Sequence, residues 1–377
     1  MTARIETAAT GWLAPQLSAD PELWRVPLPD AVRQELADYL AASDGSGSFL
    51  ATGDGSGEFL AAGDGSGDFL GTGEGVGEQV GDPRLVGLPA TSEFASLLLR
   101  RLSSAGPGLV LVTGLPVFDE QYAQRLYWAL GRVIGQPVSQ SRKGDLIGRV
   151  EDRGSDIGNP TQRGYESSAA LPFHVDRTDV IGLLCVRAAN NGGLSQVASA
   201  PTVHDLLLAE QPDLLAELYR PIPQDRRGEE PAGELPWCEI PVFSRTDQGV
   251  VTRYVRRFIM ASQRHQAAPR LTAGQLAAMD ALDEILTRPE VVLEMELQPG
   301  ELQLINNFSI LHARTAFEGP QHGAGRLLLR LWLTVCNSAP LPEEYRSLYG
   351  SVAAGTVRGG VWPDQPELLG SAVAAPA

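Results

Sequence analysis

The chain is expected to be mainly β with helical additions, a sandwich or barrel dressed with helices. Three observations lead there. After Pro172 the sequence breaks into short strand-like runs: FHVD, VIGLLCVRA, SQVASA, EIPVF, VVTRYV, VVLEMEL, LQLINN and RLLLRLWLTV. The turns between them are brief and rich in glycine or proline, at Asn190–Gly193, Asp247–Gly249 and Pro299–Gly300. Strict strand–helix alternation is missing, and no GxGxxG or GxxxxGK[ST] follows a strand, which argues against a dinucleotide-binding fold.

The elements follow in order. Residues 1–42 are expected to form an N-terminal helical region, with a helix over Asp30–Ala42 that Pro29 precedes and Asp30 caps. Residues 43–82 are a ten-residue repeat, SDGSGSFLAT GDGSGEFLAA GDGSGDFLGT GEGVGEQVGD, with 13 glycines, eight acidic residues and no basic one. Such a segment buries too little to offset its ordering entropy, so it reads as a flexible acidic insert. The alternative is a calcium-binding β-roll, although that repeat has nine residues in another order. Residues 83–340 form the main domain. It begins with a helix over Ser92–Ser103, a strand at Leu109–Thr113 ended by Gly114, and a helix over Asp119–Ile134. Two further helices, near Thr202–Leu208 and Thr272–Leu286, interrupt the strands. Residues 341–377 are expected to be a partly disordered C-terminal tail.

Charge and cysteines narrow the function. With 30 basic against 46 acidic residues the net charge is −16, a poor match for nucleic-acid phosphates or anionic membranes. Cys185, Cys238 and Cys336 are far apart and form no CxxC, so neither a disulfide framework nor a zinc site is suggested. The N-terminus shows no signal-peptide core and no apolar run is long enough to span a bilayer, so the cytoplasm is the default location.

Chemistry is sought among rare residues. There are five histidines, and His174 with Asp176 forms an HxD pair. On a strand, residues i and i+2 share a face, so imidazole and carboxylate emerge together and can chelate one metal ion. His312, at the end of LQLINNFSILH, offers a third ligand. Two histidines and a carboxylate suit non-haem iron and leave coordination positions open. The dipeptide alone reads equally well as a surface hydrogen bond. In RLLLRLW, Arg326, Leu328, Arg330 and Trp332 share one strand face and three leucines share the other. Two arginines on a strand buried on both sides each need an anion, from a ligand or from internal carboxylates.

The order and spacing of LPFHVD (171–176), NNGGLS (190–195), LQPGELQLINNFSILHARTAF (297–317) and GRLLLRLWL (325–333) resembles the taurine dioxygenase (TauD/TfdA) family over residues 88–336. The resemblance implies a double-stranded β-helix, the jelly-roll or cupin-like core, flanked by α-helices. It implies an oxidoreductase that uses Fe(II), 2-oxoglutarate and O2. His174, Asp176 and His312 would bind the metal. Arg326, 14 residues after His312, would hold the distal carboxylate of 2-oxoglutarate together with Ser195. Arg330 would bind an anionic group of the primary substrate. Asp176, where halogenases have glycine or alanine, argues against halogenation.

Further pocket candidates are Tyr165, Asn306, Asn307, Phe308, Arg253, Tyr254 and Arg257. His204 is expected to be structural, His265 and His322 to be solvated in loops, and Cys185 to be a small core residue. His322 is the competitor of His312 for the third ligand position. The expected partner is a small molecule, carboxylate-bearing or amino-acid-derived, that is hydroxylated, desaturated or cyclised in natural-product biosynthesis. Catabolism of sulfonates or aryloxy acids is the alternative, and a non-catalytic binding protein on the same barrel the second. Assembly into a homo-oligomer stays open.

Overall fold

The computed structural model describes residues 11–44, 87–154, 166–318 and 325–362. The acidic repeat from residue 45 onward, Tyr165 and His322 lie outside them.

Two sheets form the core. The larger has seven strands: Arg25–Pro27, Leu109–Thr113, Leu302–Asn306, Val180–Arg187, Leu327–Thr334 and Gln136–Pro137 in that order, with Ile147–Val150 also paired to Leu327–Thr334. The smaller has four, in the order Val292–Met295, Ser195–Ser199, Ile310–Arg314 and Leu171–His174. Pairing is antiparallel except between Arg25–Pro27 and Leu109–Thr113. The expected N-terminal helical region therefore also supplies an edge strand.

Side-chain alternation places the layers. In the last strand Leu327, Leu329, Leu331 and Leu333 join Val110, Leu184, Leu302 and Leu304 in one core beneath the helices Asp30–Asp44, Pro89–Leu102 and Glu120–Ile134. Leu328 and Trp332 point the other way and pack with Cys185, Val197, Ile305 and Ile310 between the sheets. Each fully buried leucine contributes about 1.5–3 kcal/mol, so Leu327–Thr334, buried throughout, anchors both layers. A third core joins the smaller sheet to the helices Ala200–Glu210, Pro212–Leu218 and Ala273–Ile285. This sandwich of two sheets within helical layers is the jelly-roll architecture expected.

The helix starts have local causes. Asp119 caps its helix by accepting from the Tyr122 amide at 2.8 Å. Thr272 and Gln275 form a reciprocal capping box.

Three expectations change. The run LQLINNFSILH is two strands in different sheets, because residues 307–309 turn the chain across the sandwich. His312 thus sits inside a central strand rather than at a strand end. Second, the run VVTRYV is strand only as far as Thr252, and the helix Arg256–Ser262 follows soon after it. Third, residues 341–362, assigned to the tail, pack onto the domain. Tyr345 and Tyr349 are buried, and Arg358 donates to Asp179 at 2.7 Å with both side chains buried.

Candidate active site

Register builds the metal centre. His174 and His312 are direct partners across the antiparallel pair Leu171–His174 and Ile310–Arg314, and their rings lie 4.2 Å apart. Asp176 follows just past the strand end, still on the same face. The ligand atoms of His174, Asp176 and His312 all lie within 4.8 Å of one another, the one such group among the described residues.

Each ligand is held in place. The His174 ring contacts the Pro172 carbonyl through Nδ1 at 2.9 Å. The Asn307 side-chain oxygen accepts from the Asp176 amide at 3.0 Å. Trp332 Nε1 donates to Asp176 Oδ2 at 3.1 Å, and Arg330 stands 3.9 Å from the same oxygen. Burial pushes the Asp176 pKa up, but Arg330, the two histidines and the Trp332 N–H outweigh it and hold the carboxyl below the ordinary value. Burial, reinforced by His174, pushes the His312 pKa down to about 3. A neutral imidazole beside an ionised carboxylate is the protonation state that a metal requires. The donors are nitrogen and oxygen without thiolate, and they fit Fe(II).

A second feature lies around Arg326. It is buried, its Nη1 has no hydrogen-bond partner among the described residues, and burial pushes its pKa down to about 10. Room for it comes from Gly193, at φ +70, where a Cβ would sit 3.1 Å from Arg326 Nε. Phe317 lies between Arg326, 5.1 Å from its ring centre, and Arg314, 4.8 Å away. Arg314 Nε and Nη1 are likewise buried without partners. Ser195, paired across the sheet with Arg314, donates its hydroxyl to Gln303 at 2.8 Å. These buried guanidinium groups suit a carboxylate ligand.

His174 and Asp176 of the triad face a cavity of about 340 Å³ that Arg330, Trp332, Arg253, Arg257 and Phe258 also line. The chain 253–258 runs beside 174–176 through the His174–Val255 bridge and the bond from the Val175 amide to the Tyr254 carbonyl. Alternation turns Arg253 and Val255 inward. Tyr254, expected in the pocket, faces away, fully buried, and donates to Asp283 at 2.7 Å.

Three more candidates move. Phe308 packs with Tyr345 and Tyr349 beside a separate small cavity. Asn307 positions Asp176 instead of lining the cavity, and Asn306 bonds the Leu102 carbonyl. His204 is structural, with both ring nitrogens engaged by Asp205 and Tyr219. His265 is bound to buried Asp225 at 3.1 Å rather than solvated. Cys185 is buried in the core between the sheets.

Sequence reasoning missed Trp332, Gln140, Arg314 and Arg177. Trp332 shared the face of Arg330 and could have been found by alternation. Gln140, which accepts from Arg330 Nε at 2.6 Å, came from a strand edge without pattern.

Comparison with known proteins agrees with this geometry. Residues 83–332 match the family model described as taurine catabolism dioxygenase TauD, TfdA family. The chain belongs to this family of Fe(II)- and 2-oxoglutarate-dependent dioxygenases. It is 32% identical over 269 residues to FR-33289 synthase of Streptomyces rubellomurinus, covering 70% of this chain and 79% of that protein. It is 29% identical over 189 residues to uridine-5'-phosphate dioxygenase of an Amycolatopsis species, covering 47% of this chain and 67% of that protein. Among solved structures it is similar in fold to asparagine oxygenase with Fe(II), 3-hydroxyasparagine and succinate (TM-score 0.57, 16% identity, 82% of this chain and 93% of that one). It is also similar to the oxygenase OrfP with iron and α-ketoglutaric acid (TM-score 0.56, 16% identity, 88% and 99%).

Proposed function

We propose that this dioxygenase removes hydrogen from an unactivated C–H bond of a small anionic or amino-acid-derived molecule in natural-product biosynthesis. The observation that carries the reading is the His174–Asp176–His312 group, two of whose members line a cavity rich in arginine. The relatives named as a synthase and as a nucleotide dioxygenase, and the folds solved with hydroxylated amino acids, support biosynthetic tailoring.

His174, Asp176 and His312 would hold Fe(II), and Arg326 the distal carboxylate of 2-oxoglutarate. The bound pair supplies oxidative decarboxylation of 2-oxoglutarate coupled to hydrogen removal from substrate. The chain does the rest. Trp332 and Asn307 fix Asp176, so the ligand carboxylate keeps one orientation. Gln140 fixes the Arg330 guanidinium at the cavity wall, where it orients an anionic substrate group. Leu348, Val361 and Phe258 supply apolar wall that limits water.

The test is succinate release from 2-oxoglutarate with Fe(II), over a panel of amino acids and small anionic metabolites. Release stimulated by at least one panel member, with the matching oxidised product by mass spectrometry, is expected. Absence of 2-oxoglutarate binding to the Mn(II)-loaded protein would overturn the reading.

A further inference from the structure

We propose that Arg177 and Arg253 form a second anion subsite in the cavity, separate from Arg330 and built for a phosphoryl-type dianion of the substrate. This rests on the oxygenase reading and names its substrate class.

The cavity is basic in an acidic protein. Seven of its lining residues are arginines and four are carboxylates, in a chain of net charge −16. The carboxylates are largely engaged. Asp176 belongs to the metal centre, Asp283 holds Arg256 and Tyr254, and Asp225 holds Arg264 and His265. Glu229 is the main opposing charge on Arg177.

Arg253 is 3% exposed and gives one hydrogen bond, from Nη1 to the Val175 carbonyl at 2.9 Å. Its Nε is buried without a partner among the described residues, and so are Arg177 Nε and Arg226 Nε. The Tyr349 hydroxyl, within the fields of both Arg253 and Arg177, is unpartnered too. Arg177, Arg226 and Arg253 line the same cavity, and Tyr349 lies behind its wall.

Both guanidinium groups line one cavity, where like charges repel and lose hydration, so they mark a place where an anion completes the structure. One bidentate arginine satisfies a planar carboxylate. Two arginines from different segments match a tetrahedral head with three terminal oxygens and two charges. Arg177 directly follows Asp176, so an anion held there fixes the substrate's position relative to the metal centre.

The test is calorimetric titration of protein loaded with Mn(II) and 2-oxoglutarate, which fills the Arg326 site. The probes are methyl phosphate, methyl sulfate of the same shape but one charge, and acetate. Methyl phosphate should bind at least tenfold more tightly than either. Arg177→Gln and Arg253→Gln should each weaken it about ten- to a hundredfold, the loss of one charge-assisted bidentate contact. Where Arg253→Gln fails to fold, Arg253→Lys and Arg177→Gln decide. Equal affinity for the three probes, or binding that survives in the folded variants, overturns the subsite. Methyl phosphate binding without 2-oxoglutarate binding sinks the oxygenase reading and leaves the subsite standing.

Discussion

Replacing Arg326 with glutamine should weaken 2-oxoglutarate and, at the same time, fail to weaken the fold. Arg326 is 5% exposed, and no carboxylate among the described residues opposes its charge. Burial brings its pKa from 12.5 to about 10. At 1.36 kcal/mol per tenfold, that is about 3 kcal/mol spent holding a charge in a dry place. Glutamine keeps polarity and removes the charge, so ligand-free Arg326→Gln should melt no lower than the parent, and up to a few °C higher. A bidentate contact to a carboxylate contributes about 1.5–3 kcal/mol, so the dissociation constant for 2-oxoglutarate should rise roughly ten- to a hundredfold. Calorimetry and thermal melts on Mn(II)-loaded protein read both quantities. A variant that melts well below the parent while binding 2-oxoglutarate normally would show that Arg326 is a structural cation, and the reasoning would fail.

Three further outcomes are expected. His312→Ala should abolish Fe(II) binding, measured by metal content after desalting, and His322→Ala should keep it; the opposite pattern would show the third ligand to be misassigned. Trp332→Phe removes the hydrogen bond to Asp176 Oδ2 and should lower Mn(II) affinity about ten- to a hundredfold, measured by paramagnetic resonance; unchanged affinity would show that the indole N–H does not orient the ligand. His204 is buried and held below its ordinary pKa of 6.5 mainly by burial. The unfolded chain therefore binds more protons below pH 6.5, and His204 subtracts stability as pH falls from that value toward its lower folded pKa, by at most about 1.4 kcal/mol per pH unit. Urea midpoints at pH 7.5 and 5.5 should differ less in His204→Gln than in the parent, and an equal difference would count against a neutral buried ring.

Much of this molecule could be read before folding. Strand 109–113 and the helices after Pro89, Asp119 and Thr272 announce themselves by periodicity and caps. The metal group was legible because histidine is scarce here and HxD needs only the strand repeat of two. Asn307, Phe308 and Tyr254 were misread for a common reason. Proximity in sequence to a ligand says little about which way a side chain points, and that depended on a turn at 307–309 and on the register of 253–255 against 174–176. Arg177 was overlooked because its meaning lies in neighbours from distant segments.

The wall of the cavity includes Leu348 and Val361, and Gln140 pairs with Val361. Synthesis runs from the N-terminus, so the ribosome releases the metal ligands and both arginines of the last strand before this wall exists. A truncation after Asn337 would strip Leu348 and Val361 from this wall and leave buried Asp179 without Arg358, so enclosure of the chamber and stability of the domain would be lost together.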